Sequence, residues 1–558
     1  MLKNKLIPFA LLALSQSIFA QQLPSAGSQI QQIPPSPVPP KAAPPLRIDP
    51  ASAPAAAAAS SAEKITVNSL RVIGASVHSE AELVALTGFQ PGSALSLADL
   101  RAMAARIAER YRSEGYFLAQ AYLPAQEIKD GAVIIAVIEG QYDKVTVRNQ
   151  SNLSNDLVQS QLAGINSGDK VAIAPLETRL LLLSDIPGVK VSSTLAPGAA
   201  LGTSDLIVDI APGERVTGSI DADNGGNRYT GQYRLGATVN LNNLAGRGDV
   251  ASLRVVTAGS GLNYARAAYQ MQFGKATAGL SYSWLGYELG EEFKSLDAHG
   301  TAKIASVYGS YPLIRSRATN LYAQLAFDHR TFDDRVDATA SATDKKSQVL
   351  MATLRGDHRD SLGGGGLSSY ALTATVGKLD IQTPAQRAWD AATAQSNGNY
   401  SKLGFSAMRL QNLTDSVSLY AGINGQIASK NLDASEKMQL GGMNGVRAYP
   451  EGEAYGDQGY LLTLEARLQL PMFSGALPGQ MELIGFIDAG TVTLNKNPGA
   501  WAPSDNRRTL SGAGVGLNWW AANDFVVKAS YARKLGSDAA TSAPDKSGRF
   551  WIQAVKYF

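Results

Sequence analysis

In residues 459–470, with the sequence GYLLTLEARLQL, apolar and polar side chains alternate from Leu462 onwards. The apolar set is Leu462, Leu464, Ala466, Leu468 and Leu470, and the polar set is Thr463, Glu465, Arg467 and Gln469. Because successive side chains of a β-strand point to opposite faces, this stretch predicts a strand with one apolar and one polar face. A soluble β-sandwich could bury the apolar face, whereas charges on the other face also suit a water-filled barrel lumen.

The same period of two recurs through the C-terminal two thirds of the chain. About sixteen such segments begin near residues 216, 232, 249, 263, 275, 300, 318, 347, 368, 399, 416, 459, 480, 509, 524 and 549. Short connections alternate with long ones, the long ones including residues 331–346 and 429–458. Short turns at one rim and long loops at the other are typical of outer-membrane barrels. We therefore predict a 16-stranded antiparallel transmembrane β-barrel over residues 213–558.

The composition agrees with a membrane barrel and excludes several other classes. Charged residues make up 17% of the 558 residues, glycine is abundant at 54, and the formal net charge is +3. A typical soluble domain carries about 25% charged residues. The near balance of charge gives no polybasic surface, so we expect no nucleic-acid partner. The chain contains 0 Cys, which excludes disulfides and thiolate metal sites, and we expect no cofactor or metal.

The N-terminus has the pattern of a secretory signal. Lys3 and Lys5 precede an apolar run over residues 6–14, and Ala20 is a suitable small residue before a cleavage site. The run is too short to span a bilayer as a helix, which needs about 20 residues. We predict a signal peptide over residues 1–20, then a short helix and a Pro/Ala-rich linker over 21–63, extended and without a core.

Two small α/β modules are predicted between the linker and the barrel. In the first, over residues 64–140, Ser96 and Asp99 form a capping signal that opens a helix with a regular apolar face. Asp130 and Gly131 form a hairpin turn between its last two strands. A looser copy over residues 141–212 repeats the order strand, helix, strand, strand. Neither contains a catalytic constellation, so they are either spacers or docking sites for an extended peptide.

Short motifs occur in a fixed order through the modules and the barrel. The modules contain RYRSEGY at residues 110–116, YLPAQ at 122–126, DG at 130–131, EG at 139–140 and LLSDIPGV at 182–189. The barrel contains DNGG at 223–226 with TG at 230–231, VRAY at 446–449 followed by GDQG at 456–459, and FIDAG at 486–490. In this order they resemble the TpsB-type transporters, the outer-membrane half of two-partner secretion systems, whose periplasmic modules are called POTRA domains. Ala448 departs from the family's usual VRGY.

The resemblance implies an outer-membrane transport protein rather than an enzyme, and it implies that the POTRA modules lie in the periplasm. Its partner would be a secreted TpsA-type exoprotein, an adhesin, haemolysin or contact-dependent inhibition toxin. The POTRA modules would capture the exoprotein's N-terminal secretion domain unfolded, and the exoprotein would pass through the barrel without ATP. Outer-membrane lipid would surround the barrel, which we expect to be a monomer. Tyr111, Gly115, Tyr116, Tyr122, Pro124 and Gln126 are the candidate cargo-binding residues.

The resemblance also implies that loop 429–458 folds into the lumen and that Arg447 pairs with Asp488. Alternation agrees, because it places Asp488 on the face opposite Leu483 and Ile487. The surrounding loop–barrel clamp would comprise Val446, Tyr449, Gly456, Asp457, Gly459, Phe486 and Gly490. A planar guanidinium can hold a carboxylate through two hydrogen bonds, which fixes orientation as well as charge. In a wet lumen we expect water to screen this pair, and we expect residues 21–32 to occlude the lumen only weakly.

Three alternatives remain at the level of sequence. An outer-membrane assembly factor of the same superfamily would be expected to have a longer POTRA arm, and a diffusion porin needs no docking modules. An enzyme would need clustered catalytic groups. The two similar triplets Asp328-His329-Arg330 and Asp357-His358-Arg359 fall at opposite rims of the predicted barrel and cannot form one site.

Overall fold

The structure, a computed structural model, describes residues 23–38, 46–48, 63–471 and 478–558. The predicted signal peptide and residues 39–45 and 49–62 of the predicted linker lie outside the described residues. The N-terminal part contains helix α1 (Ala26–Gln31) and strand β1 (Leu46–Ile48). Within the described ranges, no helix is long and apolar enough to cross a membrane.

The first module is a small sheet covered by helices. Its elements are β2 (Lys64–Val67), β3 (Ser69–Ile73), α2 (Glu80–Thr87), β4 (Ser93–Ser96), α3 (Leu97–Ser113), β5 (Gln120–Tyr122) and β6 (Ala132–Ile138). The predicted cap is present, because the Ser96 hydroxyl accepts a hydrogen bond from the Asp99 backbone N–H while the Asp99 carboxylate accepts from the Ser96 N–H. Helix α3 buries Leu100, Ile107 and Tyr111 against the sheet order β3-β6-β5.

The second module repeats this arrangement and gains a strand from the linker. Its elements are β7 (Gln141–Asn149), α4 (Asn155–Leu162), α5 (Ile173–Asp185), β8 (Val189–Pro197) and β9 (Thr203–Pro212). Strand β1 completes the order β1-β8-β9-β7 and runs parallel to β8. Leu46–Ile48 is extended, as expected of the linker, but it also pairs with β8, which supplies backbone partners that local composition cannot reveal.

A buried carboxylate joins the two modules. Glu139 accepts hydrogen bonds from the Ser76 N–H at 2.6 Å and the Tyr111 hydroxyl at 2.8 Å, and pairs with Lys170 of the second module at 2.7 Å. Burial raises the pKa of Glu139, but the bonds from Lys170 and Ser76 outweigh it and hold the pKa at about 2. The EG motif therefore marks the joint between the modules.

The remaining strands form one closed antiparallel barrel, and the prediction of sixteen strands is confirmed. They are β10 (Val216–Asp223), β11 (Arg234–Asn242), β12 (Val250–Thr257), β13 (Leu262–Phe273), β14 (Ala276–Glu288), β15 (Ala298–Arg315), β16 (Thr319–Val336), β17 (Ser341–Asp360), β18 (Gly366–Ile381), β19 (Gly398–Asn412), β20 (Val417–Ala428), and, after the loop strands β21 (Met438–Gln439) and β22 (Tyr455–Gly456), β23 (Gln458–Gln469), β24 (Gln480–Thr493), β25 (Arg507–Ala521), β26 (Phe525–Lys534) and β27 (Gly548–Tyr557). Strands β27 and β10 close the barrel from Ser219↔Tyr557 to Asp223↔Gln553. Helix α6 (Pro384–Ala392) lies in the connection between β18 and β19.

The quoted alternation becomes the two faces of β23. Leu464 and Leu468 are 56% and 44% exposed on the outer surface, whereas Glu465 between them is buried inside. One predicted loop is wrong. Residues 331–346 form the ends of β16 and β17 and are joined by a short turn over residues 337–340. The polar ends of these two strands continue to pair beyond the barrel rim.

The modules sit at the rim that carries the short turns. Arg315, at the end of β15, holds the carboxylate of Asp185 through two hydrogen bonds of 2.7 and 2.8 Å. The Asn243 amide donates to the Asn152 side chain at 2.7 Å, and the Gln161 amide donates to the carbonyl of Gly274. These contacts all come from the second module, which therefore connects the first module to the barrel.

The strand register predicts where charge is tolerated. Leu464→Arg places a cation on the outer face near the middle of β23, which should cost about 2–4 kcal/mol near the bilayer midplane. Ser406→Arg is the matched control, since Ser406 lines a lumenal cavity of about 630 Å³. The amounts of folded barrel in outer-membrane fractions should differ strongly between the two variants. Equal amounts would contradict the assignment of faces.

Candidate functional site: a loop clamped inside the barrel

Residues 429–457 leave β20 and fold back into the lumen before β23 begins. The loop brings its own apolar core, in which Leu440, Val446 and Tyr449 are each 0% exposed. These side chains pack with Leu461 and Phe486 of the barrel wall in one continuous cluster. Burial of apolar surface therefore stabilises the loop inside the barrel, and this contribution is independent of any ion pair.

The structure brings Arg447 and Asp488 together. The Arg447 guanidinium donates from Nε to Oδ2 and from Nη2 to Oδ1 of Asp488, both at 2.8 Å, and the Arg447 backbone N–H donates to Oδ2 at 3.2 Å. The side chain of Asp488 is 0% exposed and that of Arg447 is 13% exposed. The expectation that water screens this pair is therefore wrong for Asp488, because its carboxylate is fully buried against the guanidinium.

Further wall residues surround the Arg447 guanidinium. Its Nη1 lies 2.9 Å from Oε1 of Glu465, and its Cζ lies 3.4 Å from the centre of the Phe486 ring. The Thr463 hydroxyl donates to Asp488 at 3.1 Å, and the Trp551 indole N–H donates to the Arg447 carbonyl at 2.7 Å. Sequence reasoning missed Glu465, Thr463 and Trp551 as site residues.

For two of them, Thr463 and Glu465, the pairing of β23 with β24 would have indicated a place in the site. Thr463 pairs with Asp488 and Glu465 with Phe486 across β23 and β24. Both were already assigned to the polar face of the opening stretch, but alternation alone does not say which strands are neighbours.

The glycines of the motifs permit close contact between loop and wall. A Cβ added at Gly490 would lie 2.8 Å from Cδ2 of Leu440, one at Gly456 would lie 2.5 Å from Cβ of Val492, and one at Gly459 would lie 2.3 Å from the carbonyl oxygen of Thr491. Each position thus excludes a side chain on steric grounds.

The departure at Ala448 has a physical explanation. Ala448 is not among the described residues with positive φ, so its backbone conformation does not require glycine. The methyl group is fully buried, and a Cβ at the facing Gly512 would lie only 2.4 Å from it. The wall glycine therefore leaves the space that the loop alanine fills.

Two buried acids hold the ends of the loop. Asp457, 0% exposed, accepts from the backbone N–H groups of Leu432 at 3.0 Å and Lys496 at 2.7 Å, and pairs with Lys437 at 2.8 Å. Glu453, also 0% exposed, accepts two hydrogen bonds from backbone and hydroxyl groups of Ser542 and pairs with Arg508. Glu453 was not predicted.

Two predicted clamp residues, Val446 and Tyr449, also fix the shape of the loop. The Val446 N–H donates to the Leu440 carbonyl at 2.7 Å, which closes a turn inside the loop. The Tyr449 hydroxyl donates to the Asp538 carbonyl at 3.0 Å, reaching the connection between β26 and β27. The loop is thus tied to several connections of the rim opposite the modules.

Helix α1 lies in the same lumen, beside the loop. The Ala26 N–H donates to Asp334 at 2.8 Å, the Thr230 hydroxyl donates to Gln29 at 2.8 Å, and the amide of Gln32 donates to the Tyr455 hydroxyl at 2.5 Å. Residues Ala26, Gly27, Ser28 and Gln29 are all buried. A helix this short is marginal in water, so the barrel and the loop stabilise it.

Glu451 is an unusual acid of the loop. Its carboxylate is buried and accepts a hydrogen bond from the Gln439 amide. Burial raises the pKa of Glu451 to about 7. Since the folded loop favours the protonated form, this group destabilises the folded state progressively as pH rises from the ordinary glutamate range towards 7.

The candidate cargo-binding residues of the first module fall into different environments. The Tyr111 side chain is 0% exposed and belongs to the module core, and Tyr116 packs partly buried against that core. The Gly115 carbonyl accepts from the Ile173 N–H, which places Gly115 at the joint with the second module. Tyr111 and Gly115 therefore support the module from within.

The YLPAQ motif lies nearer the surface. Tyr122 is 40% exposed. The Gln126 amide forms two hydrogen bonds of 2.8 Å with the backbone of Ile134, and so pairs with β6 beyond the end of β5. Pro124 precedes Gln126 in the same turn. Of the six candidates, Tyr122 has the large exposed apolar surface suited to direct contact.

The histidine triplets do not form one site. His358 faces Thr319 at the module side of the barrel, whereas His329 lies ten residues further along β16. At about 3.3 Å per residue this separates them by roughly 33 Å. Arg330 instead joins Asp328 to the loop residue Glu436 through ion pairs of 2.7 and 2.6 Å. The first triplet therefore contributes to fixing the loop.

Removing the clamp should lower the free energy of unfolding of the barrel substantially. Arg447→Ala or Asp488→Ala leaves a buried charge without its partner, which typically costs about 3–5 kcal/mol. Because each change breaks the same contact, the double variant should be little worse than either single one. Arg447→Lys should rescue poorly, since an ammonium lacks the fork geometry. The measurement is a double-mutant cycle on barrel unfolding, and strictly additive costs would contradict the pairing.

Removing α1 should open the lumen. Helix α1 lies in the lumen and is held there by wall and loop together. Deletion of residues 25–32 is therefore expected to raise single-channel conductance several-fold in planar bilayers. Asp334→Ala should raise conductance partially, and Asp334→Asn is the matched control that keeps an acceptor for the Ala26 N–H. A deletion that changes conductance only slightly would restore the expectation of weak occlusion.

Comparisons with known proteins place this architecture in a family. Residues 202–519 match the family described as haemolysin secretion/activation protein ShlB/FhaC/HecB, and residues 65–140 match the POTRA domain of ShlB type. The heme/hemopexin transporter protein HuxB of Haemophilus influenzae is 32% identical over 475 residues, covering 84% of this chain and 82% of that protein. The outer membrane transporter CdiB of Dickeya dadantii is 24% identical over 469 residues, 81% and 80% of the two chains.

A solved structure supports the fold over nearly the whole length. CdiB from Escherichia coli superposes with a TM-score of 0.70 at 20% identity, covering 91% of this chain and 93% of that one. The family and these relatives place the barrel in the outer membrane and its POTRA modules, at the rim of short turns, in the periplasm. The chain belongs to the ShlB/FhaC/HecB family of haemolysin secretion/activation proteins, the TpsB-type outer-membrane transporters that export large exoproteins by two-partner secretion.

Proposed function

We propose that the protein rests in a closed state and exports one TpsA-type exoprotein, whose N-terminal secretion domain the POTRA modules capture unfolded. One observation carries this proposal: the lumen holds a loop that a buried two-hydrogen-bond ion pair attaches to the wall. Such a contact keeps the resting membrane sealed. It also gives the loop a defined position to leave when cargo arrives.

The size of the barrel supports passage of an extended chain. Sixteen strands enclose a lumen wide enough for water and a polypeptide once the loop and α1 have moved. Cargo held extended by the modules would enter from the short-turn rim, where the second module contacts the barrel through Arg315 and Asp185. Folding outside the cell would draw the chain outwards without ATP.

We further propose lipid contact around a monomeric barrel. Large apolar residues such as Leu325, Val515 and Ile487 are at least half exposed on the outer surface. Lipid chains would cover them. A closed barrel leaves no free sheet edge that demands a second copy.

The exoprotein that we favour is of the heme/hemopexin type. The supporting observation is that HuxB, named a heme/hemopexin transporter protein, is 32% identical, whereas the CdiB proteins are 23–24% identical. An exoprotein that binds hemopexin or heme would fit this proposal. A contact-dependent inhibition toxin as the exported partner would contradict it.

The test is secretion from cells that co-express this chain with candidate exoproteins, scored in the medium and on the surface. Deleting residues 64–212 should leave an inserted barrel and abolish export. Tyr122→Ser should lower export several-fold, while Leu201→Ser, exposed at 85% on the second module, is the matched control and should not. Barrel amounts are held equal by immunoblot.

Each alternative makes a different prediction in that assay. Normal export by the barrel alone would make the modules spacers. A general loss of other outer-membrane proteins when this chain is depleted would indicate an assembly factor. Unselective uptake of small solutes without any exported partner would indicate a diffusion porin.

A further inference from the structure

Four basic side chains lie together on the wall formed by strands β15 to β18, towards the rim opposite the modules. All four are exposed: Lys303, His329, Lys346 and Lys378. The register aligns Lys303 with Thr331 and Thr331 with Lys346, in one row across three strands. The next row, two residues nearer the middle of the wall, aligns His329 with Gln348 and Gln348 with Lys378. The four bases therefore form one patch, which we call the basic patch.

The basic patch faces away from the lumen. The residue adjacent to each base faces inwards: Ala302, Asp328, Lys345 and Leu379. Lys345, for example, pairs with Asp433 of the inward-folded loop at 2.6 Å, and Ala302 packs in one cluster with Ala26 of α1. Because successive side chains of a strand point to opposite faces, the four bases point to the outside of the barrel.

The level of the basic patch is that of lipid headgroups. Two residues nearer the middle of the wall, the next row is apolar and exposed: Val307, Phe327, Leu350 and Val376. Trp284, which lies opposite Lys303 on β14, is also exposed, and tryptophan is enriched where hydrocarbon meets water. Since the modules mark the periplasmic side, the patch lies at the outer leaflet of the membrane.

The charge of the basic patch is not balanced by nearby carboxylates. Asp380 pairs with Arg387 at 2.8 Å, Asp344 pairs with Arg335 at 2.6 Å, and Asp333 accepts a hydrogen bond from a threonine hydroxyl at 3.2 Å. Within the described parts of the chain, none of the three lysines of the patch forms an ion pair. Neighbouring cations repel one another, and more strongly beside hydrocarbon than in bulk water. Anions supplied from outside the protein would offset this repulsion.

We propose that the basic patch binds the headgroup of a phosphorylated glycolipid of the outer leaflet, such as lipopolysaccharide. Ammonium groups donate charge-assisted hydrogen bonds to phosphate oxygens. The spacing of strands and rows places neighbouring lysines of the patch roughly 8–10 Å apart, so one headgroup with two phosphates contacts more than one of them. The acyl chains cover the apolar row beneath. This inference rests on the proposed lipid contact of the barrel, and it adds the chemistry of the headgroup and its place.

The first experiment measures lipid binding to purified full-length protein in a neutral detergent. The probe is fluorescent lipid A, the phosphorylated glycolipid part of lipopolysaccharide, compared with the same lipid after enzymatic removal of its phosphates. Wild-type protein should bind the phosphorylated form about tenfold more tightly. The triple variant Lys303→Gln, Lys346→Gln and Lys378→Gln should lose this preference, because glutamine keeps a polar side chain without the charge. Equal affinity of the wild type for both lipids, or an unchanged preference in the triple variant, would overturn the proposal.

Two controls separate the basic patch from charge in general. Changing the same three lysines to arginine keeps the cations and should preserve the preference for phosphorylated lipid. Arg533→Gln removes an exposed cation next to the inward-facing Ala532 on β26, outside the patch, and should leave the preference unchanged. An equal loss in Arg533→Gln and in the single variant Lys346→Gln would show that net charge alone attracts the lipid, and would overturn the proposal. Heat-modifiable migration in gels verifies that each variant is folded.

A competition experiment distinguishes the lipid from free phosphate. Inorganic phosphate in large excess should not displace bound lipid A, because the acyl chains add contact with the apolar row. Complete displacement would assign the patch to free phosphate and overturn the proposal. Failure of the wild-type protein to insert into vesicles of neutral phosphatidylcholine would contradict the proposed lipid contact itself. Normal insertion together with equal binding of both forms of lipid A would overturn the headgroup site alone.

Discussion

Every backbone N–H and C=O group that crosses the membrane must find a partner within the protein, because hydrocarbon offers none. The closed ladder from β10 through β27 meets this requirement, and the seam between the first and last strands completes it. The other features follow from closure. A ring of sixteen strands encloses an interior too wide for wall side chains to fill, so the chain must supply further residues to seal it.

The seal combines apolar packing with a few buried ionic contacts. The loop of residues 429–457 places its own apolar side chains against the wall, and Arg447 lies largely buried between Asp488 and Glu465. There the pair determines the position of the loop, because a misplaced loop would bury unpaired charge. Helix α1 shares this interior and contacts both wall and loop through Asp334 and Tyr455.

The periplasmic modules are also positioned by a few paired charges. The buried carboxylate of Glu139 accepts hydrogen bonds from both modules at their joint, and the contacts that attach the modules to the barrel include the two hydrogen bonds of Arg315 with Asp185. These charge-assisted contacts fix orientation. On the outer edge of the second module's sheet, the described linker residues Leu46–Ile48 pair with β8.

The sequence alone indicated about sixteen strands, because alternation with a period of two reports a local property of the backbone. The resemblance of two motifs to those of the family indicated Arg447 and Asp488 as partners. The tertiary structure decided what depends on neighbours: that Thr463 and Glu465 share the site, that residues 331–346 continue as strands, and that the clamp is buried. Only folding brings β1 to β8 and α1 into the lumen, since pairing partners and burial are set by segments far apart in the chain.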